Sequence, residues 1–76
     1  MDPSEALATI TSLAERGCAC ETDKECFRAI REEFDVAKRS LLATLLAGDD
    51  KTTFDRELTR LRTCGDTAGL TVWLGQ

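Results

Sequence analysis

Six apolar residues, Phe27, Ile30, Phe34, Ala37, Leu41 and Leu45, recur at steps of three and four along the middle of the chain. That period collects them on one face of an α-helix, whereas a strand would send successive side chains to opposite faces. The opposite face carries Arg28, Arg31, Glu32, Asp35, Lys38 and Arg39, the pattern of a surface helix with one buried stripe. Thr22-Asp23-Lys24-Glu25 precedes it as a capping box, so the spacing predicts a long helix over about 23–47.

A long amphipathic helix needs partners for its apolar face, and the flanking segments supply them. Asp2-Pro3-Ser4-Glu5 combines an N-cap acid, a proline suited to the first helical position and an early acid that complements the helix dipole. Ala6, Leu7, Ile10, Leu13 and Ala14 follow at helical spacing, which predicts a first helix over about 3–16, stopped by Gly17. Gly48-Asp49-Asp50-Lys51 reads as a turn. Phe54, Leu58 and Leu61 then predict a third helix over about 52–64, with 65–76 as an extended arm. The fold class expected is all-α: a three-helix antiparallel arrangement of a helical hairpin plus an N-terminal helix.

At 76 residues such an arrangement has a marginal core, burying only ~60% of the surface that the unfolded chain exposes. Cross-links would help, and the chain has four cysteines, Cys18, Cys20, Cys26 and Cys64. Pairing Cys18 with Cys20 would close a very tight ring. Two pairings remain: Cys18 with Cys26 and Cys20 with Cys64, or Cys20 with Cys26 and Cys18 with Cys64. Cys64 presents a difficulty. In a straight hairpin turning about Asp50 it lies opposite Val36, ~15 Å from Cys26. Unless another element brings a partner within reach, Cys64 stays free or bonds another chain.

The same inventory excludes several chemistries. With no histidine, the chain holds no Ser-His-Asp or Cys-His catalytic set of its own and no imidazole metal ligand. Glu32-Glu33 and Asp49-Asp50 read as solvated surface and helix cap, and neither a glycine-rich phosphate loop nor a twelve-residue calcium loop occurs. Fourteen acidic against ten basic residues give a net charge of −4, which argues against direct nucleic-acid binding. No apolar run reaches the ~20 residues of a membrane span, and the amino terminus reads as a helix start rather than a signal peptide. Oxidised cysteines would favour a secreted or periplasmic setting, reduced ones the cytoplasm.

The sequence therefore predicts a small, non-catalytic protein-interaction module without a cofactor, stabilised by disulfides, whose partner is another protein or a second copy of itself. Leu70, Val72, Trp73 and Leu74 form the candidate partner-binding arm, tryptophan being enriched at binding hot spots. The alternative placement of Trp73 is folded back over the hairpin. Two other functions compete: a thiol-based metal-binding or redox-responsive protein centred on Cys18, Cys20 and Cys26, and an acidic intracellular inhibitor or adaptor that occupies the basic surface of a nucleic-acid-binding protein.

Overall fold

A computed structural model describes residues 1–72. It comprises α1 (Pro3–Ala19), α2 (Lys24–Ala43) and α3 (Gly48–Ala68), with no strand among the described residues. The chain is thus all-α, with three helices. The Met1 carbonyl oxygen at the start of α1 lies 3.3 Å from the Thr44 hydroxyl oxygen at the end of α2. At the other end Cys18 of α1 and Cys64 of α3 have Cα atoms 5.0 Å apart. α1 and α3 therefore run side by side in one direction and α2 returns against them. α1 packs most extensively on α3, less on α2, and α2 least on α3.

α1 starts as its sequence directs, with the Asp2 carboxylate accepting the Glu5 N–H at 2.9 Å and Pro3 in the first turn. It does not stop at Gly17, however, and continues to Ala19. Gly17 is buried in the helix because space requires it: a Cβ there would stand 2.8 Å from Phe27 Cε2 and 3.1 Å from Leu61 Cδ1. The glycine lets α1 approach both other helices closely.

α2 is capped by Asp23, whose carboxylate accepts the Cys26 N–H at 3.1 Å, in place of the expected Thr22. It buries Phe27, Ile30, Phe34 and Leu41 as the spacing predicts, but ends at Ala43, four residues early. At Thr44 the backbone turns extended and the side-chain hydroxyl donates to the Ser40 carbonyl at 2.7 Å, occupying an acceptor that the helix end would leave open. Leu45, expected on the buried stripe, is consequently 92% exposed, and Leu46 packs against the core instead.

α3 begins at Gly48, four residues before the expected start, with Asp49 and Asp50 in its first turn, where their charge complements the helix dipole. The earlier turn resolves the difficulty at Cys64. Moving its centre from Asp50 to between Leu45 and Leu46 slides the α2–α3 pairing by about nine residues, or ~13 Å. Cys64 then lies level with Phe27 rather than Val36, and α1, one turn longer than expected, brings Cys18 to meet it.

α3 also runs past Cys64 to Ala68 and ends on Gly69 in the left-handed conformation, φ +85°. The Leu70 N–H donates to the Gly65 carbonyl at 2.8 Å and the Gly69 N–H to the Asp66 carbonyl at 3.1 Å, a Schellman-type termination. It turns the chain back over the bundle. Leu70 packs against the core and Val72 is buried within it. The expected arm is thus helix to Ala68 and returning chain to Val72.

Gly65 makes the return possible, since a Cβ there would be 2.7 Å from the Leu70 carbonyl oxygen and 3.0 Å from the Phe27 ring. Alanine gains up to ~1 kcal/mol of helix propensity over glycine, but overpacking a filled core costs ~1–3 kcal/mol. Gly65→Ala should therefore lower unfolding stability in urea titration, by up to ~3 kcal/mol; a variant more stable than the parent would contradict this packing.

Candidate interaction surface

All four cysteines are in disulfides, Cys18 with Cys64 and Cys20 with Cys26. In this state no thiolate is available to a metal, and no group of three or more acidic or cysteine side chains is placed to hold one among the described residues. The two bridges do different work. Cys18–Cys64 spans 46 residues and ties α1 to α3, whereas Cys20–Cys26 spans 6 and ties the α1–α2 loop to the first turn of α2. That small ring encloses Glu21 at φ +53°, a left-handed conformation that costs a non-glycine residue about 1 kcal/mol or more.

The other charged groups mostly sit on solvated helix faces, as expected. Arg31 pairs with Asp35 at 3.9 Å and Arg28 with Glu25 at 3.2 Å. Glu57 is the exception: it is 8% exposed and pairs with Arg60 at 3.0 Å. It lies four residues before Leu61, a signal the apolar reading of the stripe passed over.

A groove of about 780 Å³ lies between α1 and α2. Leu13 lines it, with Ala8 and Ser12 contributed by α1 and Ala29, Val36 and Ala37 by α2. Small side chains leave the helix surfaces close to any occupant. Val36 is 86% exposed, one step out of register with the buried stripe. That offset, an aliphatic residue beside the core face, is the sequence signal that could have located the groove.

Arg16 reaches across the groove to Glu33 with two charge-assisted hydrogen bonds, Nη1 to Oε2 at 2.8 Å and Nη2 to Oε1 at 2.9 Å. Its Nε also donates to the Ser12 hydroxyl at 3.2 Å, fixing the guanidinium plane. The hydrogen bonds to Arg16, more than the charge attraction, hold the Glu33 carboxyl below the ordinary carboxylate range. Glu32, exposed on the same rim, has no ion-pair partner among the described residues. A second apolar area lies at the α2–α3 corner, where Leu42 and Leu45 are exposed and Met1 is half-exposed.

Of the sequence-predicted site residues, the four cysteines gather at one end of the bundle, while Val72 is buried in the core and Leu70 is partly buried against it. The turn after Gly69 brings both back against the helices. Trp73 and Leu74 lie outside the described residues.

Two measurements follow from this geometry. In the chain-entropy account the long loop contributes ~4 kcal/mol and the short ring ~2 kcal/mol. Denaturant unfolding should show Cys18→Ala/Cys64→Ala losing roughly twice as much stability as Cys20→Ala/Cys26→Ala, and the reverse order would refute the assignment of the main clamp. For the ion pair, a depressed folded pKa means that Glu33 stabilises the fold above the ordinary carboxylate range and loses that contribution as pH falls through its lowered value. NMR titration of Glu33 should move upward in Arg16→Gln; an unshifted midpoint would show that the pair does not form in solution.

No protein-family model matches the sequence, and neither the curated proteins nor the solved structures provide a match.

Proposed function

We propose that this chain is a small, non-catalytic protein-interaction module, held in shape by its disulfides, that seats a helix of another protein in the groove between α1 and α2. The observation that carries this reading is Val36, 86% exposed on the wall of a groove whose other apolar residues are the buried Leu13 and three alanines. An exposed aliphatic side chain beside a concave surface is a site where burial by a partner gains free energy. Amphipathic helices occupy such grooves through side chains at i, i+3 or i+4, and i+7.

A second copy fits this face poorly. In a twofold antiparallel pairing with Val36 of one α2 against Ala29 of the other, the Glu32 carboxylates of both copies, which no ion pair among the described residues neutralises, meet near the axis. Like charges in that position oppose association. The exposed Glu32 and the net charge of −4 suit a partner helix with basic flanks.

Selection of displayed peptides on the oxidised protein tests the reading. The enriched sequences should carry the i, i+3/i+4, i+7 apolar pattern flanked by Lys or Arg. Their affinity should fall roughly tenfold or more for Ala29→Arg, which fills the groove with a charge, and stay unchanged for Arg62→Ala on the exposed surface of α3. Enriched peptides without helical periodicity, or indifferent to Ala29→Arg in a variant with parental circular dichroism, would rule out the groove as the binding face.

A further inference from the structure

The two disulfides differ in more than loop length. Cys26 is exposed in the first turn of α2, and its partner Cys20 is 6% exposed in the loop behind it. Cys18 and Cys64 are both half-buried and join two helices that pack closely. Thiol–disulfide exchange requires a thiolate to reach one sulfur of the bond, so access decides which bridge opens and at which atom.

We propose that Cys20–Cys26 is an exchangeable disulfide, with Cys26 as the site where a low-molecular-weight thiol of the glutathione class adds, and that Cys18–Cys64 stays closed and preserves the bundle. The thiolate attacks Cys26 Sγ; the new S–S bond forms as the Cys20–Cys26 bond breaks, and Cys20 leaves as a thiolate that takes a proton from water. A second thiolate attacks the outer sulfur of the mixed disulfide and releases Cys26. In sum the protein disulfide gains two electrons and two protons, and two molecules of thiol are oxidised to their disulfide.

Three features of the fold favour this step. The attacked sulfur belongs to the exposed member of the pair. The leaving Cys20 Sγ lies 3.5 Å from the Arg16 carbonyl oxygen, so the protonated thiol has an acceptor in place. Opening the ring also frees Glu21 from its left-handed conformation. The helices keep their main cross-link throughout, because Cys18–Cys64 does not involve the α1–α2 loop. This site is independent of the groove and stands or falls separately from peptide binding there.

The test exposes the native, oxidised protein to a reducing glutathione buffer without denaturant, quenches with an alkylating reagent and maps the peptides by mass spectrometry. The expected products are a glutathione adduct on Cys26, then a species alkylated at Cys20 and Cys26 only, with Cys18–Cys64 intact and the helical circular dichroism retained. A paired comparison locates the reactive sulfur: with oxidised glutathione, Cys20→Ser should take up one glutathione on Cys26, while Cys26→Ser should leave the buried Cys20 unmodified. The proposal is overturned if Cys18–Cys64 opens first or together with the short ring, if neither bridge exchanges, or if the two variants are modified equally.

Discussion

The contact on which the bundle depends is the Phe27 ring held between two glycines. Its Cε2 edge faces Gly17 of α1 and its Cε1 edge faces Gly65 of α3, each so near that a Cβ would stand 3.0 Å away or less. Phe27 is completely buried there. The next residue after Gly17 is Cys18, the residue before Gly65 is Cys64, and the residue before Phe27 is Cys26. Three cysteines thus flank the three members of one contact. The Cys18–Cys64 bridge closes over the site where α1 and α3 both meet the ring, and Cys26 ties the base of α2 to the adjoining loop. A small core obtains more from cross-links placed where packing is already tight, because the bonded residues are held in position by the core as well as by the sulfur bridge.

The same contact explains why a groove lies open elsewhere. The buried face of α1, namely Ala6, Ile10, Leu13, Ala14 and Gly17, is turned mainly to α3. α2 joins through Phe27, Ile30, Phe34 and Leu41, which leaves the flank of Ala29 and Val36 uncovered among the described residues. Arg16 and Glu33 cross this flank with a geometry-specific pair rather than with apolar packing, so two helices are linked while the groove between them stays unfilled. Exposed pairs of this kind fix orientation more than they add stability.

Much of this was legible in the sequence because local chemistry and tertiary packing agree. The three helices, the Asp2 cap and the stripe from Phe27 to Leu41 follow from periodicity and capping alone. The pairing Cys18–Cys64 with Cys20–Cys26 was among the permitted solutions, but spacing had no means to select it. What could not be read was any position governed by a neighbour distant in sequence. Gly17 looks like a helix stop until Phe27 and Leu61 are placed beside it. The end of α2 at Ala43 depends on the Thr44 hydroxyl and on the approach of Met1, and the nearly unbroken run of apolar and small residues from Leu41 to Ala47 hides it. That single boundary carries the largest consequence. An error of a few residues in a turn doubles in the register of the helices it joins, which is why Cys64 looked unreachable.

The distribution of cross-links also sets where the bundle is weakest. Both bridges lie at the end containing the α1–α2 loop and the last turns of α3, and no cross-link holds the α2–α3 corner. There Leu41 and Phe54 are buried and Leu46 packs behind them, but Leu42 and Leu45 face water and the Met1 carbonyl oxygen approaches the Thr44 hydroxyl only to 3.3 Å at an exposed site. Local opening follows the free energy of the contacts broken, so it starts at this corner and meets the Gly17–Phe27–Gly65 contact last. Opening the short ring would not change that order. It frees the loop at the clamped end while the long bridge still holds α1 against α3 on either side of Phe27.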